Sequence, residues 1–186
     1  MPGVWINKAG YFHIVTTKNS GAQISISTPA SSVVAGDTYH LEVVVIHGVF
    51  KVWIDGTLVG TKSNNNMETE TDAATYVSDP WYAAADVELR NFMYHDLDEC
   101  SFQPTMGPTL KPTYSSMPTA VECEGVMTQH FMDSWTGATR STELSTIDTA
   151  SNFRVEVEIK VGSISSASTW QSVFHIGDQN SCVCVS

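Results

Sequence analysis

Two glutamates in the C-terminal part of the chain have the spacing of a catalytic pair. Glu156 and Glu158 stand two residues apart, so on a strand both would point to one face, as the acid and the nucleophile of a glycoside-cleaving site must. Arg154 and Lys160 flank them, and apolar residues alternate with all four. This pattern is more typical of the solvated outer face of a strand. Because no Gly-x-Ser-x-Gly nucleophile motif occurs either, we expect no catalytic residues and no enzymatic activity.

A second group of acidic residues raises the question of a metal site. Asp96, Asp98 and Glu99 lie close together in the sequence, and clustered carboxylates are the ligands that calcium prefers. Their spacing matches no regular calcium-binding loop, so an acidic end of a strand is the simpler interpretation. The six histidines are dispersed along the chain. The sequence therefore predicts no metal ligands, and calcium is the only cofactor that it leaves open.

Four cysteines are candidates for disulfide bonds: Cys100, Cys123, Cys182 and Cys184. They lack the C-x-x-C spacing and the histidine partners of a zinc site. Cys182 and Cys184 would point to the same face of a strand, a geometry poorly suited to a bond between them. We therefore expect these two to bond with Cys100 and Cys123 or with another chain. Four reduced thiols in a cytosolic protein are the alternative.

Adjacent aromatic residues offer a surface on which a sugar ring could stack. Trp81 and Tyr82 are the candidates for such a platform, and Trp53 is another. The simpler interpretation is that Trp5, Trp53 and Trp81 anchor the core or an interface. A carbohydrate-binding module is thus the alternative to the structural function considered below.

The charge of the chain argues against a nucleic-acid partner, and its apolar pattern argues against a membrane span. Nine Lys and Arg residues stand against 20 Asp and Glu residues, which gives a formal net charge of -11. With no basic cluster, such a chain would repel phosphate backbones, so we expect no nucleic-acid partner. No run of 18 apolar residues occurs, so we expect no membrane span. The first residues lack the pattern of a secretory signal, which fits either a cytosolic protein or a piece of a longer chain.

Proline and threonine recur in residues 103–119, QPTMGPTLKPTYSSMPT. This density of proline favours extended polyproline II conformation, so we expect a semi-rigid spacer outside any sheet. The composition is also typical of O-glycosylated stalks, with an unmodified linker as the alternative. The candidates for glycan attachment, with the prolines as hydroxylated acceptors, are Thr105, Thr109, Thr113, Ser115, Ser116, Thr119, Pro104, Pro108, Pro112 and Pro118.

Alternating apolar residues predict strands on both sides of this spacer. Before it, residues 39–46 and 49–54 are separated by a Gly48 turn, and an Asp55-Gly56 turn follows. After it, apolar residues alternate with charged ones over nine positions. The apolar members of this clearest strand are Phe153, Val155, Val157, Ile159 and Val161. We expect an all-β fold, an antiparallel β-sandwich, with an irregular Pro/Thr-rich linker.

The hairpin segment carries a family resemblance. Residues 39–60, YHLEVVVIHGVFKVWIDGTLVG, resemble the central hairpins of laminin G-like and other concanavalin A-like lectin jelly-roll domains, and residues 79–92 are similar to their closing strand. The resemblance implies a jelly-roll fold. It also implies sugar binding or calcium binding as properties of some members, although their galactose-binding pattern is absent here.

The order of the segments is cyclically shifted relative to that family. Strands of the type found in residues 152–162 and 170–177 precede, in the family, the segment that resembles residues 2–18, whereas here they follow it. We therefore divide the chain into the main part of a jelly roll (1–97), a Pro/Ser/Thr-rich linker (98–138) and first strands that complete the same or a neighbouring domain (139–186).

Three arrangements satisfy this order: a circular permutant closed within one chain, donation of the C-terminal strands to the next chain, or one period of a tandem array. Donation and tandem repetition both generate a head-to-tail fibre. The resulting hypothesis is a structural repeat unit of an extracellular or cell-surface glycoprotein fibril, with copies of itself and covalent glycans as partners. The alternating apolar residues of 153–161 would then form the inter-subunit strand, and the cysteines would lock the joint.

Overall fold

Thirteen strands make up most of the chain that the structure, a computed structural model, describes: residues 2–18, 20–63, 68–78, 81–98, 128–137 and 142–177. The strands are β1 (Gly3–Asn7), β2 (Tyr11–Thr17), β3 (Gln23–Ser27), β4 (Thr38–Ile46), β5 (Val49–Ile54), β6 (Thr57–Ser63), β7 (Ala73–Val77), β8 (Ala83–Ala84), β9 (Asp86–Asp96), β10 (Thr128–Gly137), β11 (Thr142–Ile147), β12 (Phe153–Ser163) and β13 (Trp170–Ile176). These described residues include no helix. The all-β fold expected from the alternating pattern is confirmed.

The strands form two sheets that pack face to face. The seven-stranded sheet has the order β11-β7-β13-β1-β2-β3, with the short β8 beside β13. The six-stranded sheet has the order β10-β9-β12-β4-β5-β6. All pairings are antiparallel except that of β8 with β13. The antiparallel β-sandwich is thereby confirmed.

The core lies between the sheets and takes every second residue of each long strand. On β12 the five apolar residues predicted to alternate are all buried, with exposed fractions of 0–2%. Their neighbours in the core are the apolar residues of β4, because Val155 lies opposite Val43 and Val157 opposite Leu41. The other residues of each strand face outward, since successive side chains point to opposite faces of a sheet.

The turns use residues that tolerate a left-handed backbone. His47 and Gly48 join β4 to β5, and Asp55 and Gly56 join β5 to β6; all four have positive φ. Positive φ at both central residues is the requirement of a type I′ hairpin turn. These two predicted hairpins place β5 between β4 and β6.

One part of the range 98–138 differs from the expected linker. Residues 128–137 are β10, which pairs with β9 at the edge of the six-stranded sheet. Phe131, Met132 and Trp135 of this strand pack against the core, and this apolar contact is what recruits the segment to the sheet. The proline-rich residues 103–119 lie outside the described residues.

A second apolar cluster lies on the outer face of the seven-stranded sheet. Trp5 points away from the main core but is 0% exposed, because it packs with Val15 beneath Tyr82 and Trp170. Gly3 makes room for its indole: a Cβ atom at Gly3 would lie 2.3 Å from Trp5 Cη2. Trp5 therefore covers the backbone of its own strand.

This contact predicts that Gly3→Ala lowers the free energy of unfolding by about 1–3 kcal/mol, the usual cost of overpacking a filled site. In a Trp5→Leu background the same substitution should cost clearly less, because the clashing ring atoms are gone. Chemical denaturation of the four proteins measures this double-mutant cycle. An equal cost in both backgrounds would contradict the assigned contact.

Candidate functional site

The joint between the N-terminal part (2–98) and the C-terminal part (128–177) runs through the middle of both sheets. β12 lies between β9 and β4, and β13 lies between β7 and β1. The C-terminal part therefore supplies an interior strand to each sheet. Removing it would separate each sheet into pieces and expose the apolar faces that β12 and β13 cover.

The strands at the ends of the two parts are neighbours in the sheets. β9 and β10 are antiparallel, with His95 opposite Thr128, yet 29 residues, 99–127, separate the two described parts. β13 and β1 are also antiparallel neighbours, and the Ile176 amide donates a hydrogen bond of 3.0 Å to the Pro2 carbonyl. The end of β13 thus lies beside the start of β1.

The carboxylate of Asp98 ties the end of the N-terminal part to the start of β12. It accepts hydrogen bonds from the backbone amides of Ser151 and Asn152 at 2.9 and 2.6 Å, and from both of their side chains. The Leu97 amide donates to the Asn152 carbonyl at 2.8 Å. Partial burial opposes ionisation of Asp98, but these hydrogen bonds outweigh it and hold its pKa below the usual value.

This contact predicts a pH-dependent contribution of Asp98 to stability. The carboxyl pKa is lower in the folded chain, so its stabilisation is present above the unfolded pKa of about 3.9 and is lost as pH falls through the folded value. Asp98→Asn should lower the free energy of unfolding by about 1 kcal/mol at pH 7, and the difference from the unmodified chain should vanish near pH 2.

Urea denaturation at several pH values measures this difference. Glu143→Gln, which removes an exposed carboxylate on β11, is the control and should show no such pH-dependent loss. A deficit of Asp98→Asn that persists unchanged at pH 2 would contradict the ionised contact.

The outer face of the six-stranded sheet carries a partly buried ion network. Arg154 lies between two carboxylates: its Nε atom is 2.8 Å from Glu42 Oε1, and its Nη2 atom contacts Glu156 Oε1. Glu42 is 4% and Glu156 9% exposed. The expectation of a fully solvated face is therefore wrong for Glu156, because β4 and the arginine cover it.

His95 completes this network on the side of β9. Its Nε2 atom lies 3.7 Å from Glu156 Oε2, and its Nδ1 atom is 3.0 Å from the Thr128 hydroxyl. Burial and the nearby Arg154 guanidinium lower the pKa of His95, against a smaller opposing effect of Glu42. The neutral imidazole therefore leaves Arg154 as the cation that balances the two carboxylates.

Removing Arg154 should destabilise the fold strongly, because two buried carboxylates would lose their counter-charge. We expect Arg154→Met to lower the free energy of unfolding by about 3 kcal/mol. Arg90→Met is the matched control: Arg90 pairs with Glu88 but its side chain is 54% exposed, so the loss should stay below about 1 kcal/mol. Similar losses for both variants in thermal or urea unfolding would contradict the burial argument.

The two glutamates with catalytic spacing are separated by a β-bulge. Glu156 lies opposite Met93 and Glu158 opposite Arg90, so two residues of β9 oppose one residue of β12. Glu158 lines a separate hollow of about 160 Å³ with Glu88, Arg90 and Lys160. The two carboxylates therefore have different neighbours.

The predicted sugar platform lies on the opposite outer face, over the Trp5 cluster. The Tyr82 ring meets Trp5 edge-on at 6.3 Å, and the Trp81 ring meets the buried His175 edge-on at 5.6 Å. Both rings are half-buried. They cover groups that are themselves inaccessible, since Trp5 and His175 are each 0% exposed.

A neighbouring aromatic group escaped the sequence analysis. Trp170 reaches across β1 to β2, where its ring lies 5.1 Å from His13 and 5.8 Å from Tyr11. These three residues come from distant positions in the chain. The alternation of Trp170 and Tyr11 with core residues on their strands was the available signal, but only the order β13-β1-β2 brings the rings together.

The two described members of the acidic group considered for calcium, Asp96 and Asp98, accept hydrogen bonds from the backbone. The Asp98 carboxylate is occupied by Ser151 and Asn152, and Asp96 accepts a hydrogen bond from the Asp98 amide. Within the ranges that the structure covers, no group of three or more His, Cys, Asp or Glu residues is arranged to hold a metal ion. Glu99 lies outside these ranges.

Several predicted sites lie outside the described residues. They are the four cysteines, Cys100, Cys123, Cys182 and Cys184, and all the glycan candidates between Pro104 and Thr119. Disulfide pairing and glycosylation stay predictions. Among the described residues, no helix is long and apolar enough to cross a membrane.

Comparison of the chain with protein families, with curated proteins and with solved structures found no match. The laminin G-like resemblance stays a prediction.

Proposed function

We propose that this chain is a structural unit of an extracellular glycoprotein fibril, assembled head to tail from β-sandwich domains by strand exchange or tandem repetition. In such a polymer the C-terminal part of one unit completes the N-terminal part of the next. The proline-rich residues would carry the glycans and separate successive domains. The support comes from the joint and from the two connections across it.

The observation that carries this proposal is the length of the connection between β9 and β10, which far exceeds the short distance between these neighbouring strands. β9 and β10 are antiparallel neighbours, a geometry that hairpin loops of two to five residues usually close. The 29 residues between the described parts can span about 100 Å when extended. A connection of this length suits a spacer between domains better than a loop within one.

The other connection favours completion across a repeat boundary. In a tandem array, Ser186 of one period would precede Met1 of the next, so that residues 177–186 and 1–2 alone would link β13 to the neighbouring β1. Closing this 12-residue loop costs about 1 kcal/mol less than closing the 31 residues between β9 and β10. The adjacency of Ile176 and Pro2 is the geometry that such a short link requires.

The packing of the C-terminal part explains why such a joint would be durable. The five apolar residues of β12 are buried, and burying each such side chain contributes about 1.5–3 kcal/mol relative to exposure. The same contacts form whether β12 belongs to the same chain or to a neighbour. Exchange therefore keeps the stability of the closed domain and adds connectivity between units.

A two-period tandem chain tests the proposal directly. Thr38 and Lys160 are both exposed and lie opposite each other on β4 and β12, at a separation suited to a disulfide. In a background with the four native cysteines changed to Ser, Lys160→Cys in the first period and Thr38→Cys in the second should cross-link on oxidation. After cleavage at a protease site between the periods, the two halves should remain one band on a non-reducing gel.

The matched control has both substitutions in the first period, which cross-links only if that period closes on itself. Here the halves should separate after cleavage, and both engineered thiols of the first half should stay free to react with a thiol reagent, since self-closure would oxidise them to a disulfide within that half. Efficient cross-linking of the control, with separation in the cross-period variant, would contradict completion across the boundary and favour a self-closed permutant.

The second candidate function is a carbohydrate-binding module of a secreted or cell-surface protein. Five half-buried aromatic and imidazole rings on one outer face favour it: Tyr11, His13, Trp81, Tyr82 and Trp170. Aromatic rings beside polar groups are the usual means of holding a sugar. A reversible saccharide-dependent change in tryptophan fluorescence is the expected result, and its absence would count against this function.

A further inference from the structure

We infer that the outer face of β13, β1, β2 and β3 binds an uncharged saccharide, with Trp170 as the ring on which a sugar stacks and His13, Tyr11 and Ser27 as its polar neighbours. This inference rests on the second candidate function and adds to it the class of ligand and the residues that bind the ligand. It moves the platform away from Trp81 and Tyr82.

The residues around Trp170 combine an accessible ring with accessible polar groups. Trp170, Tyr11 and His13 are half-buried, and Ser27 is exposed. The Tyr11 ring stands edge-on to Trp170 at an interplanar angle of 87°, and the His13 ring is tilted at 46°. These two contacts hold the indole in place, and a preorganised ring loses little conformational entropy when a ligand stacks on it.

His13 presents a neutral imidazole to this surface. Its Nδ1 atom lies 2.8 Å from the Ser27 hydroxyl. Burial and the charge of Lys62, on the edge strand β6, lower the pKa of His13. A neutral imidazole and a hydroxyl can each donate and accept a hydrogen bond, which matches the dual character of sugar hydroxyls.

The distribution of charge argues for an uncharged ligand. The outward positions of β13, β1, β2 and β3 that alternate with core residues carry no Asp, Glu, Lys or Arg; they are Trp170, Ser172, His175, Gly3, Trp5, Asn7, Tyr11, His13, Val15, Thr17, Gln23, Ser25 and Ser27. The other outer face has charges of both signs at Glu42, Lys51, Glu88, Arg90, Arg154, Glu156, Glu158 and Lys160. In a chain of net charge -11, a neutral face of aromatic, hydroxyl and amide groups complements an uncharged polyhydroxyl ligand.

Trp81 and Tyr82 are less suited to this function because of what lies beneath them. They cover Trp5 and His175, which are fully buried. The polar group next to Trp81 is therefore out of reach of a ligand. At Trp170 the ring and its polar neighbours are accessible together.

The platform also spans the joint between the two parts of the chain. Trp170 belongs to the C-terminal part, whereas Tyr11, His13 and Ser27 belong to the N-terminal part. The surface is complete whenever β13 lies beside β1, whether it is supplied by the same chain or by a neighbour. Its test is therefore separate from the test of fibril assembly.

The experiment titrates the full chain with cellohexaose, mannohexaose and laminarihexaose, which are uncharged, and with a heparin-derived hexasaccharide as the charged probe. Calorimetry gives the affinities, and amide NMR spectra of the unmodified chain locate the binding. We expect at least one uncharged hexasaccharide to bind and to shift amide signals around Tyr11, His13 and Trp170. Trp170→Ala should weaken its binding about tenfold or more.

Trp53, the other candidate from the sequence, lies half-buried on the charged outer face, opposite Glu42 and with Lys51 Nζ 5.9 Å from its ring centroid. It is therefore excluded from the platform, and Trp53→Ala is the matched control, which should bind as the unmodified chain does. Should Trp170→Ala not fold, His13→Ala and the NMR map on the unmodified chain carry the test. Unchanged affinity in Trp170→Ala, or shifts confined to other residues, would overturn the assignment. Binding of the heparin hexasaccharide alone, or binding that depends on Trp81 but not on Trp170, would also overturn it. So would concentration-dependent shifts at the same amides without sugar, which would indicate a second copy of the chain. Binding that depends on Trp81 would still support a carbohydrate-binding function. A failure of all saccharides to bind would contradict both that function and the assignment of the site to Trp170.

Discussion

The burial of β12 and β13 between strands of the N-terminal part is the constraint on which the rest of the structure depends. Each sheet has one of these strands in its interior, so neither sheet is continuous without them. The apolar side of β12 faces the core along its whole length. Because backbone hydrogen bonds and apolar burial coincide there, the C-terminal part stabilises both sheets at once.

This constraint also links the domain to its possible assemblies. A segment that completes both sheets can be supplied by its own chain or by a neighbour with the same contacts. The choice is then decided by the connections and not by the interface. Under the proposed tandem repetition, the path from β13 to the β1 of the next period would be short and the path from β9 to β10 long, and this contrast is the basis of the proposal.

The two outer faces of the sandwich have contrasting chemistry. On the six-stranded sheet, Arg154 balances two carboxylates that β4 and β12 hold close together. On the seven-stranded sheet, Trp5 fills the space above Gly3, and aromatic rings cover it. The charged network contributes to the joint between β4, β9 and β12, whereas the neutral face presents accessible rings to solvent.

The sequence by itself determined the strands and their inward faces. Alternation of apolar and polar residues from Phe153 to Val161 predicts one buried face, because side chains of a strand alternate with a period of two. The turns at Gly48 and Asp55-Gly56 predicted two hairpins for the same local reason. All-β architecture follows from such local signals, and the structure confirms it.

Only the tertiary structure decided which outward residues meet. Glu42 and Glu156 are 114 positions apart, and their shared contact with Arg154 depends on β12 lying beside β4. Trp170 meets Tyr11 and His13 only because β1 lies between their strands. The sequence did not predict β10, because its apolar residues pack against the core only when the strand pairs with the edge of β9. Periodicity reports the face of a strand but carries no information about its neighbours, which are set by strand order and register.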